Sequence, residues 1–301
     1  MHKRDTAAGP DGISYAAWRA ASPPAKHVLY LLYLYTMSEE ALDEELNFCR
    51  CAFLPKGAVT HGGQEERPPK DTRLLPLSNT DNKIICSALA QPLNAVAAEV
   101  VDPIQKGFIK GRSLVDNIVL FDGHLLGWAG ALGQVNAGGC LFDFAQAFLS
   151  VFHRWICRVL GKMGLPNKIL TAIKELYANV FMYIGPAGPN AIRFLATRGM
   201  KQGCPLSGVL FALILDPVLR CIKVSQAGLE VCLTAFADDI AVACNNMLVS
   251  FPAVLRLLVQ SGCYTGLSLN ISKCILLMIN HANIEHVIQM FMEVKVKIKK
   301  F

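Results

Sequence analysis

The tetrapeptide Phe236-Ala237-Asp238-Asp239 constrains this chain more than any other segment. An apolar run (Val231, Leu233, Ala235, Phe236) precedes the two carboxylates, and a second (Ile240, Ala241, Val242, Ala243) follows them. Both flanks have the length and residue types of short buried strands, which places the acidic pair at the turn of a hairpin. A solvated Asp-Asp turn is the commoner occurrence, but it needs no uninterrupted hydrophobic frame. Inside such a frame, two neighbouring carboxylates lose solvation and repel unless a cation sits beside them. A divalent metal is the obvious cation, and Mg²⁺ takes carboxylate oxygens with substrate phosphates completing its shell.

A second apolar strand, Cys140-Leu141-Phe142, also ends in a carboxylate, Asp143. If this strand pairs beside the hairpin, three carboxylates converge. That arrangement can hold two Mg²⁺ ions about 3.5–4 Å apart, the geometry of in-line nucleotidyl transfer.

Around these strands the pattern alternates. Helical periodicity covers Tyr15–Ala20, Ala25–Met37, 81–100 with Pro92 as a kink, Asp116–Leu126, one helix over 147–163, and segments near 167–180, 205–221 and 251–264. Strands are expected near Phe48–Leu54, 181–184, 191–198 and 275–279. Polar or Gly-rich loops cover 57–72, 127–139 and Gly185–Asn190. The alternation predicts an α/β or α+β architecture.

Hydrophobic residues make up 53% of the 301 and charged residues 17%, so a large core can be buried. A net charge of +6 admits a nucleic-acid partner without requiring one. No CxxC pair occurs among the 11 cysteines, which argues against a zinc knuckle and for reduced, buried thiols. The N-terminus lacks an apolar signal region, and the aliphatic stretches at Val28–Met37 and Val209–Leu215 are too short to span a bilayer. The expectation is an intracellular protein, of nucleus or cytoplasm, neither secreted nor membrane-bound.

Six segments in order give the chain a specific resemblance. Gly9-Pro10-Asp11-Gly12-Ile13, the loop Gln105 to Ser113, Leu141 to Phe148, Arg198 to Ser207, Phe236 to Asp239, and Gly266 to Asn270 with Lys273 resemble the ordered motifs of non-LTR (LINE-type) retrotransposon reverse transcriptases. The resemblance implies the fingers and palm of a right-hand polymerase, an α+β fold whose palm is an antiparallel sheet backed by helices. It implies RNA-directed DNA synthesis, adding dNTPs to a DNA primer 3′-OH on an RNA template, with two Mg²⁺ ions for which Mn²⁺ can substitute.

By matching positions, Asp143, Asp238 and Asp239 would be catalytic carboxylates and metal ligands, the Phe144 carbonyl a further ligand, and Lys273 a general acid for pyrophosphate. Arg73, Phe144, Gln146, Ala147, Phe148, Gln202 and Gly203 would line the nucleotide site, with Phe148 as a gate against a ribose 2′-OH. Lys56 is a weaker phosphate candidate. Lys106, Lys110 and Arg112 would contact the template backbone. Leu149 and the run Arg73-Leu74-Leu75-Pro76-Leu77-Ser78 depart from the family pattern.

The expected division is a fingers-like region over 1–135, a palm over 136–280 and a truncated thumb or tail over 281–301. The thumb is expected to be largely missing, with no endonuclease domain expected before the polymerase and no cysteine-rich binding region after it. Two alternatives follow: a weak or inactive remnant that at most binds RNA, and an RNA-directed RNA polymerase, against which Phe148 argues.

Overall fold

A computed structural model describes residues 8–38, 40–57, 68, 71–130, 136–185, 191–279 and 297–300. Residues 186–190 of the expected turn, 58–67, 69–70 and 131–135 of the expected loops, and most of the expected tail lie outside the described residues. Two compact units divide the chain, the first from Met1–Pro92 with Ile156–Ser207 and the second from Leu93–Trp155 with Gly208–Phe301.

The first unit holds α1 (Tyr15–Ala20), α2 (Pro23–Tyr35), a short 3-10 turn at Glu44–Asn47, β1 (Cys49–Pro55) and β2 (Thr72–Ser78). It also holds α7 (Asn167–Tyr177), β4 (Val180–Ile184) and β5 (Ile192–Ala196), with parts of α3 (Thr80–Val100) and α6 (His153–Lys162). Its sheet runs β2-β1-β4-β5, closed on Cys49, Cys51, Val180 and Met182, with Leu74, Ile184 and Ala196 packed against them.

β2 runs through a segment for which the sequence predicted no strand. Pro76, opposite Cys51, lacks an N–H and suits an edge strand, which is where β2 lies.

The second unit is built on β3 (Gly138–Phe142), β6 (Val231–Phe236), β7 (Asp239–Cys244), β8 (Ile275–Met278) and β9 (Lys297–Lys300), in the order β6-β7-β3-β8-β9. β3 is antiparallel to both β7 and β8, whereas β9 is parallel to β8. β3 is nearly continuous in its burial, as an interior strand covered on both faces must be. α4 (Leu114–Ala129) lies against β6 and β7, placing Phe121 on Cys232 and Ala243.

α8 (Pro205–Ser225) buries Leu210, Phe211, Leu213 and Ile214 completely and is apolar nearly all round, as a core helix must be. It and α9 (Met247–Thr265) are long and apolar enough to cross a membrane. The sequence expectation for Val209–Leu215 is therefore corrected, because that stretch is the middle of a longer helix, whereas Val28–Met37 falls largely in the 13-residue α2. In α8, 72% of the most apolar stretch is buried inside the protein.

The single helix expected over 147–163 is two. α5 (Ala147–Ser150) and α6 are separated at Val151-Phe152, where the Phe152 N–H turns away to the Thr265 carbonyl at 2.9 Å. Gly266, at φ 83°, packs so closely on the Ser150 carbonyl that a Cβ has no room. A tertiary hydrogen bond has replaced a helical one.

Candidate active site

The β6–β7 hairpin closes with Phe236 opposite Asp239, leaving Ala237-Asp238 as a two-residue loop with Ala237 in the left-handed region at φ 55°. Asp238 lies in the turn and Asp239 opens β7. Phe142 pairs with Ile240, so the same register continued by one residue sets Asp143 opposite Asp239. On the other side Leu141 pairs with Ile275, and that register continued by two residues sets Asp143 opposite Lys273. The side chains agree: the Lys273 ammonium is 3.6 Å from Asp143 Oδ2. Asp143, Asp238, Asp239 and Lys273, distant in sequence, are thus gathered at one end of one sheet.

Electrostatics at this end are unfavourable to the ionised carboxylates. Burial chiefly, with the charge of Asp143 added, raises Asp238 above the ordinary aspartate range. Burial again, then Asp238 and Asp143, raises Asp239. Asp143 Oδ2 is buried and accepts no hydrogen bond among the described residues. A buried carboxylate oxygen that accepts no hydrogen bond, with only the Lys273 ammonium 3.6 Å away, stands beside two raised carboxyls, a donor set suited to a hard cation. No three His, Cys, Asp or Glu side chains among the described residues stand close enough to hold an ion by themselves. Mg²⁺ does not require that, since it commonly takes one or two carboxylates plus substrate phosphates and waters. The residues fit a divalent metal shared with a phosphate-bearing substrate.

Around Asp143 the backbone is pinned by the segment after α9. Asn270 N–H donates to the Asp143 carbonyl at 2.7 Å, and Ala145 N–H to the Ser268 carbonyl at 2.8 Å. Phe144 is buried and bridges to Leu269; Gln146 is exposed and left-handed, at φ 49°; Ala147 is buried. Phe148 is half-buried, its ring stacked on Phe211 at 4.7 Å and met edge-on by Phe108 at 5.7 Å.

The loop from Gln105 to Ser113 shows two kinds of basic residue. Lys110 is exposed, and Lys106 stands 3.9 Å from Asp116. Both line a pocket of about 420 Å³ with Asn94, Phe108, Arg112 and Phe236. Arg112 instead turns inward and donates to the carbonyls of Ala98, Val101, Asp102 and Gln105 at 2.7–3.0 Å.

In the first unit, Arg73 is exposed on β2 and Lys56 is exposed just beyond β1. Gln202 and Gly203, the latter at φ 84°, line a cavity of about 310 Å³ with Tyr15, Leu75, Lys83 and Cys204. Hydrogen bonding with Cys86 chiefly, with Lys201 nearby, draws the Cys204 thiol below the ordinary range.

Residue-by-residue reading missed Gln105 and Asn117. Gln105 headed a recognised motif but was passed over for its basic neighbours. It is fully buried against Ala237. Asn117 donates to the Ala235 carbonyl at 2.9 Å.

A family model described as "Reverse transcriptase (RNA-dependent DNA polymerase)" matches residues 55–297. The "Retrovirus-related Pol polyprotein from type-2 retrotransposable element R2DM" of Drosophila melanogaster is 27% identical over 280 residues, 88% of this chain and 24% of that protein. The "Transposon TX1 uncharacterized 149 kDa protein" of Xenopus laevis is 29% identical over 186 residues, 60% of this chain and 14% of that protein. The chain therefore spans under a quarter of either relative. Among solved structures, apo telomerase from Candida tropicalis superposes with a TM-score of 0.58 at 11% identity, covering 94% of this chain and 53% of that one. That likeness concerns the fold. With its α+β fold, its ordered motifs and a match over residues 55–297, the chain belongs to the reverse transcriptase (RNA-dependent DNA polymerase) family.

Proposed function

We propose that the chain carries the polymerase centre of an RNA-directed DNA polymerase of the non-LTR retrotransposon type, extending a DNA primer on an RNA template with dNTPs. The observation that carries this reading is the end of the second sheet, where Asp143, Asp238, Asp239 and Lys273 are gathered by strand register. Asp143 and Asp238 would hold two Mg²⁺ ions, with Asp239 completing the acidic cluster and the Phe144 carbonyl adding a ligand. Bound there, the metals would lower the pKa of the attacking primer hydroxyl and neutralise charge on the leaving pyrophosphate.

The protein's own residues do the rest. Lys273, beside Asp143 yet 65% exposed, would give a proton to the departing pyrophosphate. Phe148, fixed by two aromatic neighbours, excludes a 2′-OH. In the second unit Gln146 and Ala147 contact the nucleotide and Lys106 and Lys110 the template phosphates; the first unit's own candidates for nucleotide contact are Arg73, Gln202 and Gly203. Arg112 serves the template through the loop it folds. In this reading residues 1–135 act as fingers, 136–280 as palm and 281–301 as a tail. The protein works in the nucleus or cytoplasm, where eleven free thiols stay reduced.

Primer extension on an RNA template tests the proposal. Wild-type protein extends in Mg²⁺ or Mn²⁺, and Asp238→Asn loses extension by at least about a thousandfold. Persistent extension by the variant sinks the assigned role. Template binding by wild type without any incorporation points to a non-catalytic remnant.

A further inference from the structure

We propose that the short loop Gln105–Phe108 is the positioning element of the candidate site: Gln105 fixes the turn that carries Asp238 and Asp239, and Phe108 fixes the ring of Phe148. The inference rests on the polymerase reading and adds to it two residues that touch neither metal nor nucleotide.

Gln105 is fully buried and its side-chain amide copies one rung of a β-ladder. Nε2 donates to the Ala237 carbonyl at 3.0 Å, and Oε1 accepts the Ala237 N–H at 2.8 Å. Oε1 also takes the Gly107 N–H at 2.8 Å, which ties the loop to the same amide. On either side, Lys106 N–H donates to the Ala235 carbonyl at 2.8 Å and Ala235 N–H to the Ile104 carbonyl at 3.1 Å. The turn is thus held on its open edge as a strand would hold it. Ala237 needs this, because a left-handed conformation is unfavourable for a residue with a Cβ and persists only where the surroundings over-determine it. Gly107 lies so close that a Cβ there would collide with the Ala237 backbone.

Phe108 carries a second sign of constraint. It too is left-handed, at φ 60°, and the residue is 46% exposed, so burial alone does not explain its placement. The ring meets Phe148 edge-on, at 85°, while Phe211 stacks on Phe148 at 18°. Phe148 therefore has an aromatic neighbour on two sides. A Cβ at Gly208 would press within 2.8 Å of the Phe108 ring, so this glycine leaves the room that the Phe108 ring occupies. One four-residue loop braces both the acidic turn and the gate.

Two substitutions separate the two jobs in single-nucleotide incorporation, with Mg²⁺ titrated and dNTP compared with rNTP. Gln105→Leu should raise the Mg²⁺ concentration for half-maximal rate by about tenfold, the usual consequence of losing a residue that orients metal ligands. Its preference for dNTP over rNTP should stay within about twofold of wild type, because the gate is untouched. Phe108→Ala should lower that preference by about tenfold with the Mg²⁺ requirement held within about twofold, since a released ring no longer excludes the hydroxyl. Gln105→Glu, which keeps the acceptor and loses the donor to Ala237, gives the same direction if the Leu variant fails to fold. Parallel changes in both parameters for both variants, or no change in either, overturn the proposal.

Wild-type protein that incorporates neither nucleotide refutes the polymerase reading on its own. Backbone amide exchange over 235–240 then decides the positioning claim: faster exchange in Gln105→Leu upholds it, and equal exchange overturns it.

Discussion

Asp238 and Asp239 are held in a state that the metal-free protein pays for in stability. Burial chiefly, with repulsion from Asp143 and, for Asp239, from Asp238 as well, raises both carboxyls above the ordinary aspartate value of 3.8. A folded-state pKa above the unfolded one means that the native protein binds more protons in that window, so stability falls as pH rises through it. In chelator, Asp239→Asn should therefore be more stable than wild type at neutral pH, with the difference shrinking as pH falls below the raised range. Mg²⁺ should narrow the gap at neutral pH by stabilising wild type. Thermal unfolding of the two proteins across pH, with and without Mg²⁺, checks this; a wild-type advantage in chelator at neutral pH would contradict it. The carboxylates themselves could be picked out from sequence because an acidic pair inside an apolar frame has few explanations. Lys273 could be named only by motif; the β3–β8 register supplies the physical reason it meets Asp143.

The helices and strands that carry these residues were readable where hydrophobic period dominates, and misread where a tertiary partner or a missing N–H decides. The β6–β7 hairpin and α8 have strong patterns and lie where those patterns put them. β2 has no comparable pattern: it carries Pro76, which a strand accommodates at an edge, where β2 lies. The α5–α6 break was missed because the Thr265 carbonyl that takes the Phe152 N–H is more than a hundred residues away.

Arg112 belongs with these cases. Among glycines and lysines it reads as a phosphate contact, yet its guanidinium satisfies four carbonyls at and beyond the end of α3, groups that a helix C-terminus leaves without partners. Lysine keeps the charge but not the planar fork. Arg112→Lys should lower unfolding free energy by roughly 2 kcal/mol, while the salt dependence of RNA binding stays as in wild type. By contrast, Lys110→Ala should leave stability intact and reduce the salt slope by about one. Denaturant unfolding and binding titrations at several salt concentrations separate the two residues.

Each compact unit is assembled from two stretches of chain, and in the first unit what joins them is partly polar. Asn47 and Asn82 come from one stretch, Tyr177, Ala178 and Lys201 from the other. Asn47 Nδ2 donates to the carbonyls of Glu175 and Ala178 at 2.7 and 2.8 Å. Asn82, fully buried, donates to the Leu46 carbonyl at 3.0 Å and to Asn47 Oδ1 at 3.1 Å. Its own Oδ1 accepts the Lys201 ammonium at 3.1 Å, and that ammonium also faces the Tyr177 ring at 5.8 Å. Hydrophobic pattern could not reveal this network, because its polar side chains, of types a sequence assigns to the surface, bond to partners up to 131 positions away.

Its energetic character can be tested. Lys201 is 2% exposed, so its charge depends on the Asn82 oxygen for much of its solvation. Asn82→Ala strands that ammonium along with the Leu46 carbonyl and should cost roughly 3 kcal/mol. Lys201→Met removes a buried charge and should cost less, because an apolar chain of similar length replaces it. In the double variant the ammonium that Asn82→Ala would have stranded is already gone. The combined loss should therefore fall short of the sum of the single losses by at least about 1 kcal/mol. Denaturant unfolding of the four proteins closes this cycle, and strict additivity would show that the amide–ammonium contact contributes nothing to holding the two stretches together.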